Sequence, residues 1–158
     1  MPLTQVPNYP ISGLDQSVLG NGGAPATVPA SGTATIFTTF GVVEIVRIMG
    51  VITTAIGSTA TTLKISANVG GLGSVDVCAA GTITSLAIGQ LLMPITSFAT
   101  ALPVASPTTL GVEISNAATQ WMMSEAGIIT CTTSATPGGG AIQWYCRYRP
   151  MSNGAYVQ

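Results

Sequence analysis

The sequence predicts an all-β protein, built as a single β-sandwich, jelly roll or small β-barrel with an extended N-terminal arm. Two observations predict this fold class. About eight short segments rich in Val, Ile, Thr and aromatic residues follow one another, separated by Gly, Pro and Asn turns. The 158 residues contain no internal repeat and fit one domain of ordinary size.

The first 32 residues are predicted to form the arm, and residues 33–158 the β domain. Prolines at positions 2, 7, 10, 25 and 29 fix φ and remove backbone donors, which disfavours a helix or a central strand. Two interpretations stay open at this point: a disordered terminus, or an arm that lies on a neighbouring subunit. Dispersed apolar residues such as Leu3, Val6 and Tyr9 favour the second.

The domain begins with two strand-like regions. Residues 33–40 are β-branched and aromatic, as is typical of strands. Residues 42–56 form either one long apolar strand or a pair of strands broken near Gly50. Glu44 and Arg47 stand three positions apart, which would suit a helix, but the dominance of Val, Ile and Thr favours a strand.

Alternation of apolar and polar residues then predicts further strands. Residues 63–69 alternate so that one set of side chains faces inward: Leu63, Ile65, Ala67 and Val69. Residues 70–71 are two glycines that indicate a turn, and residues 74–79 alternate again. The remaining predicted strands are 91–98, 110–115, 119–123, 128–133 and 141–149.

The last strand has the clearest pattern. It follows a turn of one proline and three glycines at 137–140 and keeps a period of two over nine residues. One face, predicted to be inside, carries Ile142, Trp144, Cys146 and Tyr148. The opposite face carries Gln143, Tyr145, Arg147 and Arg149.

The charge content is far below that of an ordinary domain. Only 6% of residues are charged, against about 25% usually, and the net charge is −1. Such a surface gives little repulsion between copies, so we expect partner chains to cover much of it and the protein to be a homo-oligomer, which we predict to be a trimer. Four basic residues cannot neutralise a run of phosphates, which argues against nucleic-acid binding. They are Arg47, Lys64, Arg147 and Arg149.

The three cysteines have no metal-binding spacing. Cys78, Cys131 and Cys146 are expected to be buried apolar residues in a reducing compartment, although pairing of Cys131 with Cys146 stays open. No signal peptide is recognisable at the start, and prolines and charges interrupt every long apolar stretch. We therefore expect no membrane partner.

A search for chemistry yields no catalytic, cofactor-binding or metal-binding residue, so no enzyme and no cofactor are predicted. The chain has no histidine, and its five carboxylates are scattered singly: Asp15, Glu44, Asp76, Glu113 and Glu125. Lys64 is expected to be solvated on the outer face of its strand. A sugar-binding platform of Trp121, Trp144 and Tyr145 is a weaker option, because Trp144 is predicted to be core.

Several segments resemble the head decoration, or cement, proteins of tailed bacteriophages. They are residues 43–57 (VEIVRIMGVITTAIG), 60–64 (ATTLK), 74–80 (SVDVCAA), 143–150 (QWYCRYRP) and 154–157 (GAYV). The resemblance implies a β-barrel or jelly roll, often trimeric, whose partner is the major capsid protein. It also implies assembly in the host cytoplasm and a final place on the outside of the capsid, where the protein braces the shell.

Three other functions remain open from the sequence. The chain is compatible with a phage tail tube, fibre or baseplate component, with a carbohydrate-binding β-sandwich, and with an unrecognised enzyme.

Overall fold

A computed structural model describes residues 14–69, 73–93, 104–105, 121–123 and 126–158. In these residues the chain forms thirteen strands and one short 3-10 segment, Gly20–Gly23, and no α-helix. The strands are β1 (Gln16–Leu19), β2 (Ala26–Thr27), β3 (Gly32–Phe40), β4 (Val43–Thr54), β5 (Thr62–Val69), β6 (Ser74–Asp76), β7 (Gly81–Thr82), β8 (Leu91–Leu92), β9 (Val104–Ala105), β10 (Trp121–Met123), β11 (Gly127–Thr133), β12 (Ala141–Pro150) and β13 (Tyr156–Val157).

The strands form two antiparallel sheets, which confirms the prediction of an all-β sandwich. Sheet A has the order β1-β12-β4-β8-β9, with β2 also on β12 and β10 also on β4. Sheet B has the order β13-β3-β11-β5-β6, with β7 also on β5. The long strands β4 and β12 pair along nearly their whole length and form the middle of sheet A.

The core lies between the two sheets and confirms the inner face predicted for β12. All four predicted inner side chains are buried, at 6% exposed or less: Ile142, Trp144, Cys146 and Tyr148. They belong to one cluster with Phe37, Ile65 and Ile129 of sheet B. The inner face predicted for β5 is also confirmed, since Leu63 and Ile65 have no exposed surface.

Gly50 does not break the second strand region, because β4 runs without interruption from Val43 to Thr54. A Cβ atom at Gly50 would lie 2.8 Å from Cζ3 of Trp144 and 2.8 Å from Cγ2 of Ile142. The glycine is therefore a packing requirement: its bare Cα makes room for the indole ring of the neighbouring strand.

The structure describes only the second part of the predicted arm, and this part packs on the sandwich. Residues 1–13 lie outside the described residues. Residues 14–31 lie on the sandwich: β1 pairs with residues 145–148 of β12, and β2 pairs with residues 141–142. Val28, which follows β2, is 5% exposed and belongs to the core cluster. The packed part of the chain thus begins well before the predicted boundary at residue 32, because β1 and β2 each pair along one side with the long strand β12.

Other predicted segments have different bounds in the structure or lie outside the described residues. The strand predicted over 74–79 ends at Asp76; Val75 is 63% exposed, and Val77 and Cys78 then turn into the core. The strand predicted over 119–123 is present as β10. The turn at 70–71, the strand at 110–115 and most of the strand at 91–98 lie outside the described residues.

All three cysteines are buried and carry free thiols. Cys131 lies in sheet B and Cys146 in sheet A, and the disulfide that the sequence left open is not formed. Burial raises the pKa of Cys131 to about 11 and that of Cys146 to about 12. At neutral pH these side chains are therefore protonated apolar groups and poor nucleophiles.

Candidate interaction surface

The charged side chains of this protein are concentrated on the outer face of sheet A. Five of the nine charged residues in the chain lie there, on β1, β4 and β12 or directly before β1: Asp15, Glu44, Arg47, Arg147 and Arg149. The antiparallel register places them in two neighbouring rows, because Arg149 is opposite Glu44 and Arg147 is opposite Arg47. We call this face, from β1 to β4, the charged face.

An ion-pair network links the three strands of the charged face. Asp15 accepts hydrogen bonds from Arg147 and, at 3.0 Å, from Nε of Arg149, and Arg149 also pairs with Glu44. Desolvation raises the pKa of Asp15, but the hydrogen bonds and charges of Arg147 and Arg149 outweigh it and bring the pKa below the usual 3.8. These groups are partly exposed, so the network fixes geometry more than it adds stability.

An apolar row lies next to the charged rows. Leu19, Tyr145 and Met49 stand side by side on β1, β12 and β4. Leu19 is 41% and Tyr145 37% exposed, and the two side chains adjoin each other across β1 and β12. A shallow groove of about 260 Å³ runs along the row and is bordered by Arg47 and Arg147. Tyr, Met and Arg are enriched at protein–protein interfaces, so this row has the composition of a contact site.

Gln143 corrects the face predicted for β12. The pattern placed it with Tyr145, Arg147 and Arg149 on the outer side, yet it is only 6% exposed. The segment Gly20–Gly23 covers it, and its Nε2 donates to the carbonyl oxygens of Trp144, at 3.3 Å, and Gly20, at 3.5 Å. The other three residues of this face are exposed or half-buried, as predicted.

The outer face of sheet B is different in chemistry. Rows of hydroxyl groups cross it, with Thr33 and Thr132 hydrogen-bonded at 2.8 Å. Lys64, predicted to be solvated, is partly exposed and forms an ion pair with Asp76 at 2.9 Å; Ser66 also donates to Asp76, at 2.8 Å. The hydrogen bonds from Lys64 and Ser66 lower the pKa of Asp76. This face offers hydrogen-bonding groups, but its charges are paired at one edge.

Two of the residues considered for sugar binding, Trp144 and Tyr145, do not come together. Trp144 is buried in the core at 2% exposed, whereas Tyr145 points to the opposite side of β12. Trp121 lies on β10, where it pairs with Ile45 of β4. Trp144 and Tyr145 therefore cannot form one stacking platform.

Among the residues that the structure describes, no three metal-binding side chains form a group, and none of the secondary structure is an apolar helix of membrane-spanning length.

Comparison with known proteins gives little support from relatives. No protein-family model matches the chain, and no curated protein is significantly similar to it in sequence. Among solved structures it is similar to a chain in the structure of infectious bursal disease virus, Gx strain, with 11% identity and a TM-score of 0.42. The match covers 92% of this chain and 40% of that chain. At that TM-score the likeness bears on neither family nor function, and the resemblance to decoration proteins stays a prediction.

Proposed function

We propose that this chain is a virion structural protein, a decoration or cement protein that binds the outside of a phage head and stabilises the shell. The observation that carries the proposal is the charged face with its apolar row. The exposed side chains of Tyr145 and Leu19 and the half-buried Met49 supply an apolar strip on the sheet, and Arg47 and Arg147 border it. Such a strip, bordered by guanidinium groups, has the makeup of an anchor for another protein.

The role we propose is structural rather than catalytic. The chain has no histidine, and each described carboxylate is held by a basic side chain: Asp15 and Glu44 by arginines, and Asp76 by Lys64. Ion pairing lowers the pKa of Asp15 and that of Asp76, which makes both carboxylates poor proton donors near neutral pH. The low charge of the whole chain suits a protein that has partners on several sides.

The test introduces a negative charge into the apolar row. Tyr145→Glu places a carboxylate in the middle of the proposed contact, and Val75→Glu places the same group on β6 of sheet B, where the side chain is 63% exposed. Phage heads that lack the protein are mixed with each variant, and co-sedimentation measures binding. We expect Tyr145→Glu to bind at least about tenfold more weakly, the loss of a typical anchor residue, and Val75→Glu to bind as the parent does.

Equal binding of the two variants would contradict the proposed contact. A density map of the complete particle tests the location independently. Density for the chain on the outer head surface supports decoration, whereas density in the tail would keep the structural role and overturn the decoration of the head.

A further inference from the structure

The charged face changes in chemistry along its strands, from one cross-strand row to the next. The apolar row is the first of three. Two positions further along the strands lies a second row, which we call the arginine row: Ser17, Arg147 and Arg47. The third row holds the ion pairs: Asp15, Arg149 and Glu44. The carboxylates of this face are thus gathered at one end, and the two guanidinium groups of the arginine row lie between them and the apolar row.

The two arginines of the arginine row are placed to share an anion. Arg147 and Arg47 stand directly opposite each other on β12 and β4, a position in which like charges destabilise a sheet. Asp15 binds Nη2 of Arg147 from the third row. A guanidinium group carries five N–H donors, so each arginine can bind more than one acceptor. A carboxylate above the arginine row can therefore accept hydrogen bonds from both groups and offset their repulsion.

The sign of the charged face also differs from that of the whole chain. Three arginines and two carboxylates give this face a net charge of +1, whereas the chain has a net charge of −1. Both guanidinium groups of the arginine row border the groove of about 260 Å³ that follows the apolar row. A surface complementary to this part of the face is therefore negative beside an apolar group. Four basic residues in the whole chain are too few to follow a run of phosphates, so a protein carboxylate fits better than a nucleic acid.

We propose that the protein partner of the charged face presents a carboxylate to the arginine row and an apolar side chain to the groove beside it. The inference rests on the proposed function, because it names the chemistry of the surface that binds there. Residues two positions apart on a strand are about 7 Å apart, so the two groups of the partner should have the same spacing. An acidic and an apolar residue two positions apart on an extended segment meet this requirement. The apolar group supplies burial, and the carboxylate fixes the orientation of the partner.

Two substitutions at one position measure the sign of the partner's charge. Tyr145→Glu and Tyr145→Lys remove the same ring and introduce opposite charges beside the arginine row. In the isolated protein the new glutamate is attracted by the two arginines and the new lysine is repelled, so folding favours Tyr145→Glu. Binding to phage heads that lack the protein should have the opposite order. We expect Tyr145→Lys to bind at least about tenfold more tightly than Tyr145→Glu, and the difference to shrink as the salt concentration rises.

A second pair of variants tests the arginine row itself. Arg47→Gln removes one guanidinium group from the row, and Lys64→Gln makes the matched change on the outer face of sheet B, where Lys64 pairs with Asp76. In the same co-sedimentation assay at low salt we expect Arg47→Gln to bind about tenfold more weakly than the parent, and Lys64→Gln to bind as the parent does. Thermal unfolding of the isolated variants verifies that both remain folded.

Three outcomes overturn the proposal. The first is an equal or reversed order of the two Tyr145 variants, and the second is parent-like binding of Arg47→Gln. The third is tighter binding of the double variant Glu113→Gln/Glu125→Gln, which would mean that carboxylates of this chain, outside the described residues, occupy the arginine row. If Tyr145→Glu binds weakly in any of these cases, the proposed contact stands and only its partner chemistry falls. A parent protein that does not bind phage heads is a different failure, because it refutes the proposed function and this inference with it.

Discussion

Because Gly50 and Trp144 are in contact, substitutions at the two positions should have coupled effects on the free energy of unfolding. Gly50→Ala would place a methyl group 2.8 Å from the indole Cζ3 and from Cγ2 of Ile142, well inside van der Waals contact. Overpacking of this kind costs about 1–3 kcal/mol. The backbone of Gly50 is not left-handed, so alanine recovers about 0.4–1 kcal/mol through the entropy of the unfolded chain. From the midpoints of these two ranges we expect Gly50→Ala to lower the free energy of unfolding by about 1.3 kcal/mol.

Trp144→Phe removes the outer part of the indole and leaves room where the new methyl group would lie. The double variant should therefore be more stable than the sum of the two single changes predicts, with a coupling energy of about 1 kcal/mol or more. Urea unfolding followed by circular dichroism gives the four free energies, and equal m-values show that they are comparable.

The matched control is Gly154→Ala. This glycine has a φ of 74° and no neighbour within 4 Å of its missing Cβ, so alanine there is strained by its backbone and not by packing. Its cost should add to that of Trp144→Phe without coupling. A Gly50→Ala variant as stable as the parent, or additivity within about 0.3 kcal/mol in the main cycle, would refute the packing argument.

The remaining predictions concern the core, the thiols and the ion pairs. Trp144→Ala should lower the free energy of unfolding by about 3–5 kcal/mol, whereas Arg147→Ala should change it by less than about 1 kcal/mol. Thermal unfolding of both variants beside the parent measures the difference. If Arg147→Ala is the less stable of the two, the inner and outer faces of β12 are exchanged. Cys131 and Cys146 should react with an aromatic disulfide reagent at pH 8 only as fast as the protein unfolds, because burial raises both pKa values; rapid labelling of native protein would contradict this. The pKa of Asp15 is lower in the folded state than in the unfolded chain, so the stabilisation by its ion pairs should be complete above pH 4 and lost as the pH falls through the folded pKa. Unfolding free energies of the parent and of Asp15→Asn, which lacks the titrating group, measure this over a pH series. A difference between the two that stays constant from pH 5 to pH 2 would argue against the pairing.

The sequence was a good guide wherever structure is set by short-range alternation. The inner face of β12 and that of β5 could be predicted because side chains alternate across a pleated strand, and burial of one set fixes the register. The turn at 137–140 could be predicted because Gly138, Gly139 and Gly140 all have positive φ, which glycine adopts without strain.

Features that depend on distant residues could not be predicted. The burial of Gln143 and the docking of β1 arise from pairing between segments more than a hundred positions apart, and no local pattern encodes such a partner. The sequence shows that residue 50 is a glycine, but it does not show why a glycine is needed there. The cause is the indole ring of Trp144, which lies on a different strand. The gathering of charges on one face likewise needs the register of β1, β4 and β12, which single strands do not reveal.

The position of β12 has a consequence for how the chain is made. Its partners in sheet A, β1, β2 and β4, all precede it by many residues, and the ion pair from Asp15 to Arg147 spans 132 positions. During synthesis, β1, β2 and β4 therefore emerge from the ribosome long before β12. Until β12 is made, their apolar side chains and unpaired backbone groups stay exposed. Such a high contact order makes folding slow and leaves the nascent chain open to aggregation. The few charges of this sequence would do little to prevent that, so we expect efficient production to require low temperature or a chaperone.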